Sequence, residues 1–463
     1  MAVLEKDGPS TRWTQRLALP REPMAGAFFW LSAFYLVYCA RPEDWIPLLM
    51  YIPLAKISGI FALLGLMMSV GSKTKRGFRD LPKEAMYFFG IICVLFLSAV
   101  LSTVWKGGAF FKTLDFSKAL IAWVLTFLVV TSFARLRRII FIQSGSVALI
   151  AVVSVLKGRS HPRLEGVIGG IYSNPNDLAF AIVLSLPFCF AFLLRTRSLP
   201  RKAAWAAGML AMCTALFMTA SRAGFIDLMV TGAVCLWIFG IKGKRIHLVV
   251  AAAVVALVIG VAAGGRLKDR FFDISGNDLQ TGVDVSAYGS YEQRQYLMVK
   301  SLDGILHYPI LGVGLGNFVV YSGTWREVHV SYLQIAVEGG IVSLVLYLLF
   351  FARGFGNLRR LRRIPGGDPE TELFSGALYA TLIGFVVGAL FAPEAYQYFP
   401  YFAVAYTSVL LAIVRERAQP DGLPPNLSNQ SRWSKVQAGE LAPVRGGAAE
   451  RSKIATALLR NPK

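Results

Sequence analysis

Histidine is scarce in this chain, and carboxylates are few beside the cations. Its 463 residues include 4 His, and 27 Asp and Glu stand against 48 Lys and Arg. No cluster of Asp, Glu or His with metal-ligand spacing falls in the polar connections, so no metal site and no cofactor is expected. The five cysteines, Cys39, Cys93, Cys189, Cys213 and Cys235, lie in or at the ends of apolar runs with no CxxC spacing. That excludes a zinc site or a disulfide framework and leaves small core hydrophobes. No cleavable signal pattern opens the chain, because the first apolar run follows a long charged start and has no small-residue cleavage site behind it. The first helix is therefore expected to anchor and orient the chain. No internal repeat of fixed period is present.

What fills the chain is hydrocarbon: 55% of residues are hydrophobic and 16% charged, in apolar runs of roughly twenty residues, the length that spans a bilayer. The expected fold is an all-α membrane protein of about twelve transmembrane helices, near 24–40, 46–70, 85–104, 119–134, 139–156, 178–194, 203–220, 223–241, 246–264, 330–352, 373–391 and 399–414. A long non-cytoplasmic loop, 265–329, joins helices 9 and 10. The membrane domain is then 24–415, with a cytoplasmic segment 1–23 before it. Residues 416–463, rich in Pro, Gly, Ser and Arg, read as a disordered cytoplasmic tail.

The net charge of +21 does not point to nucleic acid, since many cations sit in short loops beside apolar spans, where they set topology and meet anionic lipid. Connections after even-numbered spans hold twenty Lys and Arg, and the short ones after odd-numbered spans hold eight. By the positive-inside rule both termini are cytoplasmic. Every polar constellation of interest then emerges on the other side: the 157–177 loop, the turn at Ser221–Gly224, the 265–329 loop and 391–400. ATP and sugar nucleotides are absent there, so a substrate must arrive already activated. In a bacterial envelope the usual form is a polyprenyl diphosphate.

The longest interruption of the membrane pattern holds the richest segment, Tyr291 to Gly340. At 100° per residue Arg294 shares a helix face with Met298 and Ile305, opposite Glu292 and Asp303. A cation on an apolar face needs an anion partner. Arg222, in TASRAGF, has the alternative of snorkelling at the interface. Arg163 precedes Ser173-Asn174-Pro175-Asn176-Asp177, where Asn176 or Asp177 reads as a helix N-cap and the helix start also suits an anion. Gly312-Val313-Gly314-Leu315-Gly316-Asn317 lacks the strand, the helix and the Lys of a nucleotide loop. It reads as a tight turn whose amides remain open to a substrate. His329 opens the tenth span, with Glu338 on another face of the same helix, and Asp227 lies inside the eighth.

Arg163 with SNPNDLA, SRAG at 221–224, EQRQYLM around Arg294, GVGLGNF at 312–318 and HVSYLQIAVEGG at 329–340, in this order on such a frame, resemble the O-antigen ligase family. The resemblance covers residues 160–345 by motif and 24–415 by layout. It implies a metal-independent, inverting membrane glycosyltransferase that takes a glycan from undecaprenyl diphosphate and passes it to an acceptor, lipid A–core or other, on the periplasmic side of the inner membrane. Arg222 and Arg294 match the family's essential arginines and His329 its essential histidine. Where the family commonly has Asn after the histidine, this chain has Val330, which removes an inherited account of how the imidazole is oriented.

The chemistry agrees with that resemblance. A departing lipid diphosphate is a stable anion that needs charge neutralisation more than a proton, and arginine grips phosphate bidentately while keeping its charge. The incoming sugar hydroxyl must lose a proton, which suits His329. Arg222, Arg294 and His329 are the expected catalytic residues; Arg163, Asn176, Gly314, Gly316 and Asn317 the expected substrate contacts. A polysaccharide polymerase, whose acceptor is another lipid-linked repeat unit, fits the same residues. A transporter or flippase would want polar residues lining both leaflets, whereas these crowd at one face.

Overall fold

The computed structural model describes residues 24–69, 76–157, 164, 171–172, 174–254, 257, 285–324, 326–365 and 368–418, which are helical with no strand among them. The chain divides after Val414. Two short apolar helices come first, α1 (Ala25–Ala40) and α2 (Leu54–Met68). Then follow α3 (Lys83–Leu101), α4 (Lys106–Val129), α5 (Phe133–Lys157), α6 (Pro175–Arg195), α7 (Leu199–Thr219) and α8 (Arg222–Cys235, continued as a π-helix Leu236–Lys242). The remaining long helices are α9 (Val285–His307), α10 (Ser331–Leu361), α11 (Pro369–Gly388) and α12 (Tyr398–Ala418).

Among the described residues 8 helices are long and apolar enough to cross a membrane: α3, α5, α6, α7, α8 with its π-turn, α10, α11 and α12. The expected count of about twelve is thus not confirmed among the described residues. The second expected span shrinks to α2 because Pro42, Pro47 and Pro53 break the chain into short turns before it. The fourth begins not near 119 but at Lys106, and its first half carries Lys112, Asp115 and Lys118. Arg135, Arg137 and Arg138, expected in a loop, lie in the first turns of α5, whose Phe133 packs against Phe374 of α11. The ninth expected span runs into residues outside those described, as do the first part of the 265–329 loop, residues 265–284, and nearly all of both terminal segments.

The core is aromatic. Phe88 of α3, Phe350 of α10 and Tyr401 of α12 are fully buried against one another, and Trp123 of α4 lies 6.4 Å from Phe350. Ser32 turns back on the Phe28 carbonyl of its own helix and Thr126 on that of Ala122, so these two buried hydroxyls are satisfied without water.

The bundle has two chemically different ends. At one, Arg353 of α10 faces Glu84 of α3 at 3.6 Å, and Glu370 of α11 bridges Arg137 and Arg195. At the other, Ser98 and Ser102 of α3 bond the carbonyls of Glu338 and Val313. The arginine-rich connections thus collect at the first end and the sequence motifs at the second.

That second end is built on a broken helix. Gly340, inside α10, has φ 74° and ψ 176°. The break is splinted by the glycine turn: Val313 and Gly314 donate amides to the carbonyls of Val337 and Glu338 at 2.8 and 2.9 Å, and Ile341 donates to the Pro309 carbonyl at 2.8 Å. A Cβ on Gly340 would sit 2.0 Å from the Ile310 carbonyl oxygen, and one on Gly312 2.5 Å from that of Val337. Only glycine fits where these two backbones meet.

Candidate functional site

Two motif segments are tied together by caps. Asn174 caps α6, accepting from the Asn176 amide at 2.9 Å, so the capping role expected of Asn176 or Asp177 falls to their neighbour. Asn176 is released to accept a hydrogen bond from the Ser221 hydroxyl at 2.8 Å. Ser221 in turn caps α8, accepting from the Gly224 amide at 3.1 Å. A Cβ on Gly224 would lie 2.6 Å from that of Ala179, so α6 and α8 touch here. The SNPND and SRAG turns thus form one junction, with Arg222 as the first residue of α8. Asp177 hydrogen-bonds Glu394, whose carboxyl is pushed far above the ordinary range by burial and by Asp177 beside it, so Glu394 holds the shared proton.

Arg294 stands on α9. The face of α9 that packs is Leu297, Ser301 and Gly304, while Met298 is 45% exposed, so the apolar face expected around Met298 and Ile305 is turned toward 297–304. Arg294 borders that packed face. Its guanidinium is partly withdrawn from water, and burial together with the Arg222 cation lowers its pKa. Two arginines from separate helices therefore lie within each other's field. Tyr296 donates to the Ser322 carbonyl at 3.2 Å, and Arg326 bonds Gln293, fastening α9 to the segment that leads into α10.

His329 lies half-buried in that segment, in front of Val330 at the N-cap position of α10. Its Nδ1 is buried and has no hydrogen-bond partner. Burial, then Arg294, then Arg326 push its pKa down to about 4, so the imidazole is neutral at pH 7. Arg222, Arg294 and His329 thus form one electrostatic neighbourhood. Arg326 joins them, a residue that sequence reading passed over although it stands three positions before His329. Glu338 is turned away from His329, as its helical position implied; its carboxylate takes the Gly316 amide.

Three expected substrate contacts are occupied elsewhere. The Gly314 amide goes to the Glu338 carbonyl, the Gly316 amide to the Glu338 carboxylate, and Asn317, 1% exposed, donates its Nδ2 to Ser102 at 2.9 Å, Trp105 at 3.1 Å and Val313 at 2.9 Å. Gly314, Gly316 and Asn317 hold the splint and offer no open donors to a ligand. Arg163 lies outside the described residues. Asp227, inside α8, accepts from Thr231 at 3.4 Å and faces Gly388 of α11, where a Cβ would come within 2.6 Å of its Oδ2.

A cleft of about 500 Å³ opens at this end beside Glu327, two residues before His329. Gln334, Gln397 and Asp115 line it with the rings of Tyr38 and Tyr398, which stack 4.7 Å apart at 10°. Its cations are already matched: Arg41 binds Asp44 at 2.8 Å and Glu43 at 3.2 Å, and Lys118 binds Asp115. The lining comes from several distant segments, which is why no local motif announced it. Among the described residues no group of three or more His, Cys, Asp or Glu is placed to hold a metal ion.

Fold and site together define a multi-pass helical membrane protein with a cationic, histidine-bearing site at one end of its bundle. Residues 207–348, just under a third of the chain, match the family model described as O-antigen ligase. The match supports the O-antigen ligase family and covers Arg222, Arg294, the glycine turn and His329, though neither Arg163 nor Asn176. No curated protein matches the chain.

Proposed function

We propose that this chain is an O-antigen ligase-like glycosyltransferase of the bacterial inner membrane, with its site facing the periplasm and both termini in the cytoplasm. It moves a glycan from undecaprenyl diphosphate to an acceptor such as lipid A–core, inverting the anomeric centre without a metal. The observation that carries this reading is the convergence of Arg222, Arg294 and a neutral His329 from three separate segments. The arginines receive the diphosphate, two like cations that an anion would relieve. The acceptor sugar lies in the cleft beside Glu327, where tyrosine faces and amide side chains suit a neutral polyol.

His329 takes the proton of the acceptor hydroxyl. The freed oxygen attacks the anomeric carbon from the face opposite the diphosphate, and the carbon–oxygen bond to phosphate breaks, releasing the lipid diphosphate as an anion held by the arginines. Donor binding also prepares the base: a diphosphate offsets the cationic field that depresses His329 and so raises its basicity.

The test is donor binding measured beside transfer rate in detergent-purified protein. Arg294→Lys keeps the charge and loses the planar fork, so both donor binding and transfer are expected to fall. His329→Ala is expected to keep donor binding and lose transfer by roughly 10²–10⁴-fold, the range for a missing general base. Loss of donor binding in His329→Ala, or full transfer by it, refutes the base assignment. In cells lacking the protein, long unattached lipid-linked chains mark a ligase, and single lipid-linked repeats mark a polymerase.

A further inference from the structure

A second cavity, of about 740 Å³, lies not at the site above but at the arginine-rich end, between α5, α6 and α7. Arg137 and Arg138 enter it from the start of α5, Arg195 from the end of α6 and Arg201 from the start of α7. Glu370 bridges Arg137 at 3.0 Å and also Arg195, which leaves three net positive charges among these groups. Two helix N-termini, those of α5 and α7, add their positive dipole ends.

Away from the charges the cavity becomes a hydrocarbon groove. Its lining continues along α5 from Arg137 to Ala148, about 16 Å of helix at 1.5 Å per residue. Phe192 and Trp205 stack 4.9 Å apart at 9°, and Phe141, 51% exposed, stands edge-on to both and opens the groove to the outside of the bundle. Gly145 keeps the wall flat: a Cβ there would meet nothing within 4 Å. Across from it, one on Gly208 would meet Ala148 at 3.5 Å.

A phosphate-sized concentration of cation at one end and a groove of acyl-chain shape behind it match a single amphipathic molecule. We propose that this cavity binds an anionic phospholipid, with its phosphodiester among Arg138, Arg201 and the Glu370-linked arginines and an acyl chain along the groove past Gly145 and Gly208. A free nucleotide or phosphate would leave the apolar groove unfilled. A zwitterionic lipid would bring its own ammonium into a field already positive. The bound lipid joins α5, α6 and α7 at the end remote from glycan transfer.

Full-length protein in detergent tests this by thermal unfolding with added phosphatidylglycerol, phosphatidylcholine or inorganic phosphate, beside native mass spectrometry of retained lipid. Phosphatidylglycerol is expected to raise the unfolding midpoint and to remain bound, and the other two are not. Arg138→Ala with Arg201→Ala, both outside the Glu370 bridge, is expected to cut retention at least about tenfold. Gly145→Leu fills the groove without touching a charge and has room to fold, and it is expected to cut retention as well. Equal protection by inorganic phosphate reduces the site to an anion site, and equal protection by phosphatidylcholine reduces it to ordinary annular lipid. Either result, or undiminished retention by Gly145→Leu, overturns the proposal.

Discussion

The sharpest structural prediction concerns Gly340→Ala. At φ 74° and ψ 176° the residue occupies a region that is essentially glycine-only, and holding alanine there costs about 1–3 kcal/mol. The alternative is to move, and movement is blocked: the new Cβ would lie 2.0 Å from the oxygen and 2.3 Å from the carbon of the Ile310 carbonyl, which are backbone. Displacing that backbone breaks the splint, whose bonds from Val313, Gly314 and Ile341 are each worth about 0.5–1.5 kcal/mol net. Strain and lost bonds together give a destabilisation of about 3–6 kcal/mol. The control is Gly356→Ala in the same helix, where a Cβ meets nothing and φ is ordinary. Helix propensity makes that change neutral or stabilising by up to about 1 kcal/mol. Apparent unfolding midpoints of the two variants in detergent, with limited proteolysis at residues 308–317, decide the matter. A Gly340→Ala protein as stable and as protease-resistant as Gly356→Ala would refute the account of α10 as a broken, splinted helix.

Two further predictions follow from the site. As the proposed base His329 must be neutral to accept a proton, and with its pKa pushed down to about 4 the acid limb of kcat/KM is expected near that pH rather than near 6.5. Arg326→Gln removes a cation that favours the neutral ring, so the limb should move upward in pH; an unmoved or lowered limb in a pH–rate series would show that His329 is not the titrating group. Ser221→Ala deletes both the α8 cap and the bond to Asn176, with an expected loss of about 1–3 kcal/mol and weaker donor binding at Arg222. Thr at 221 keeps a hydroxyl and should restore both, as read by unfolding midpoint and donor Kd.

What the sequence makes legible is whatever is local and periodic. The apolar runs at 175–195 and 331–361 fall where composition puts them, because a bilayer-length stretch with few charges has one stable form. Boundaries fail where a side chain's partner is remote: Arg135, Arg137 and Arg138 look like loop until Glu370 of α11 and Phe28 of α1 give them partners from the first turns of α5. The site shows the same division. Arg222 and His329 are visible as a cation and an imidazole at the ends of spans, and Arg294 as a cation on the apolar side of a helix between them. Gly314, Gly316 and Asn317 look like open donors because most of their acceptors, just past the end of α3 and just before the break in α10, are distant in sequence. The break itself hides in Val-Glu-Gly-Gly, which reads as continuous helix until another backbone needs the space.

The splint and the cation site belong to one arrangement. A transferase that works at a membrane surface must hold like charges together before its anionic substrate arrives, and Arg294 records the strain of doing so in a pKa lowered by burial and by Arg222. Flexible loops would relieve that repulsion by drifting apart. Here drift is resisted on both sides: Arg222 is fixed by the Asn176–Ser221–Gly224 caps, and α9 is fixed through Tyr296 and by the 308–317 turn bonded into α10. The same rigidity keeps His329 in the arginine field and therefore a poor base while the site is empty. In the proposed reaction, a diphosphate that enters this field is attracted by the arginines and, by cancelling their charge, raises the basicity of the ring proposed to act next. Donor-first order then follows from electrostatics alone, without a moving lid: an acceptor that binds first meets an imidazole too weak to deprotonate it.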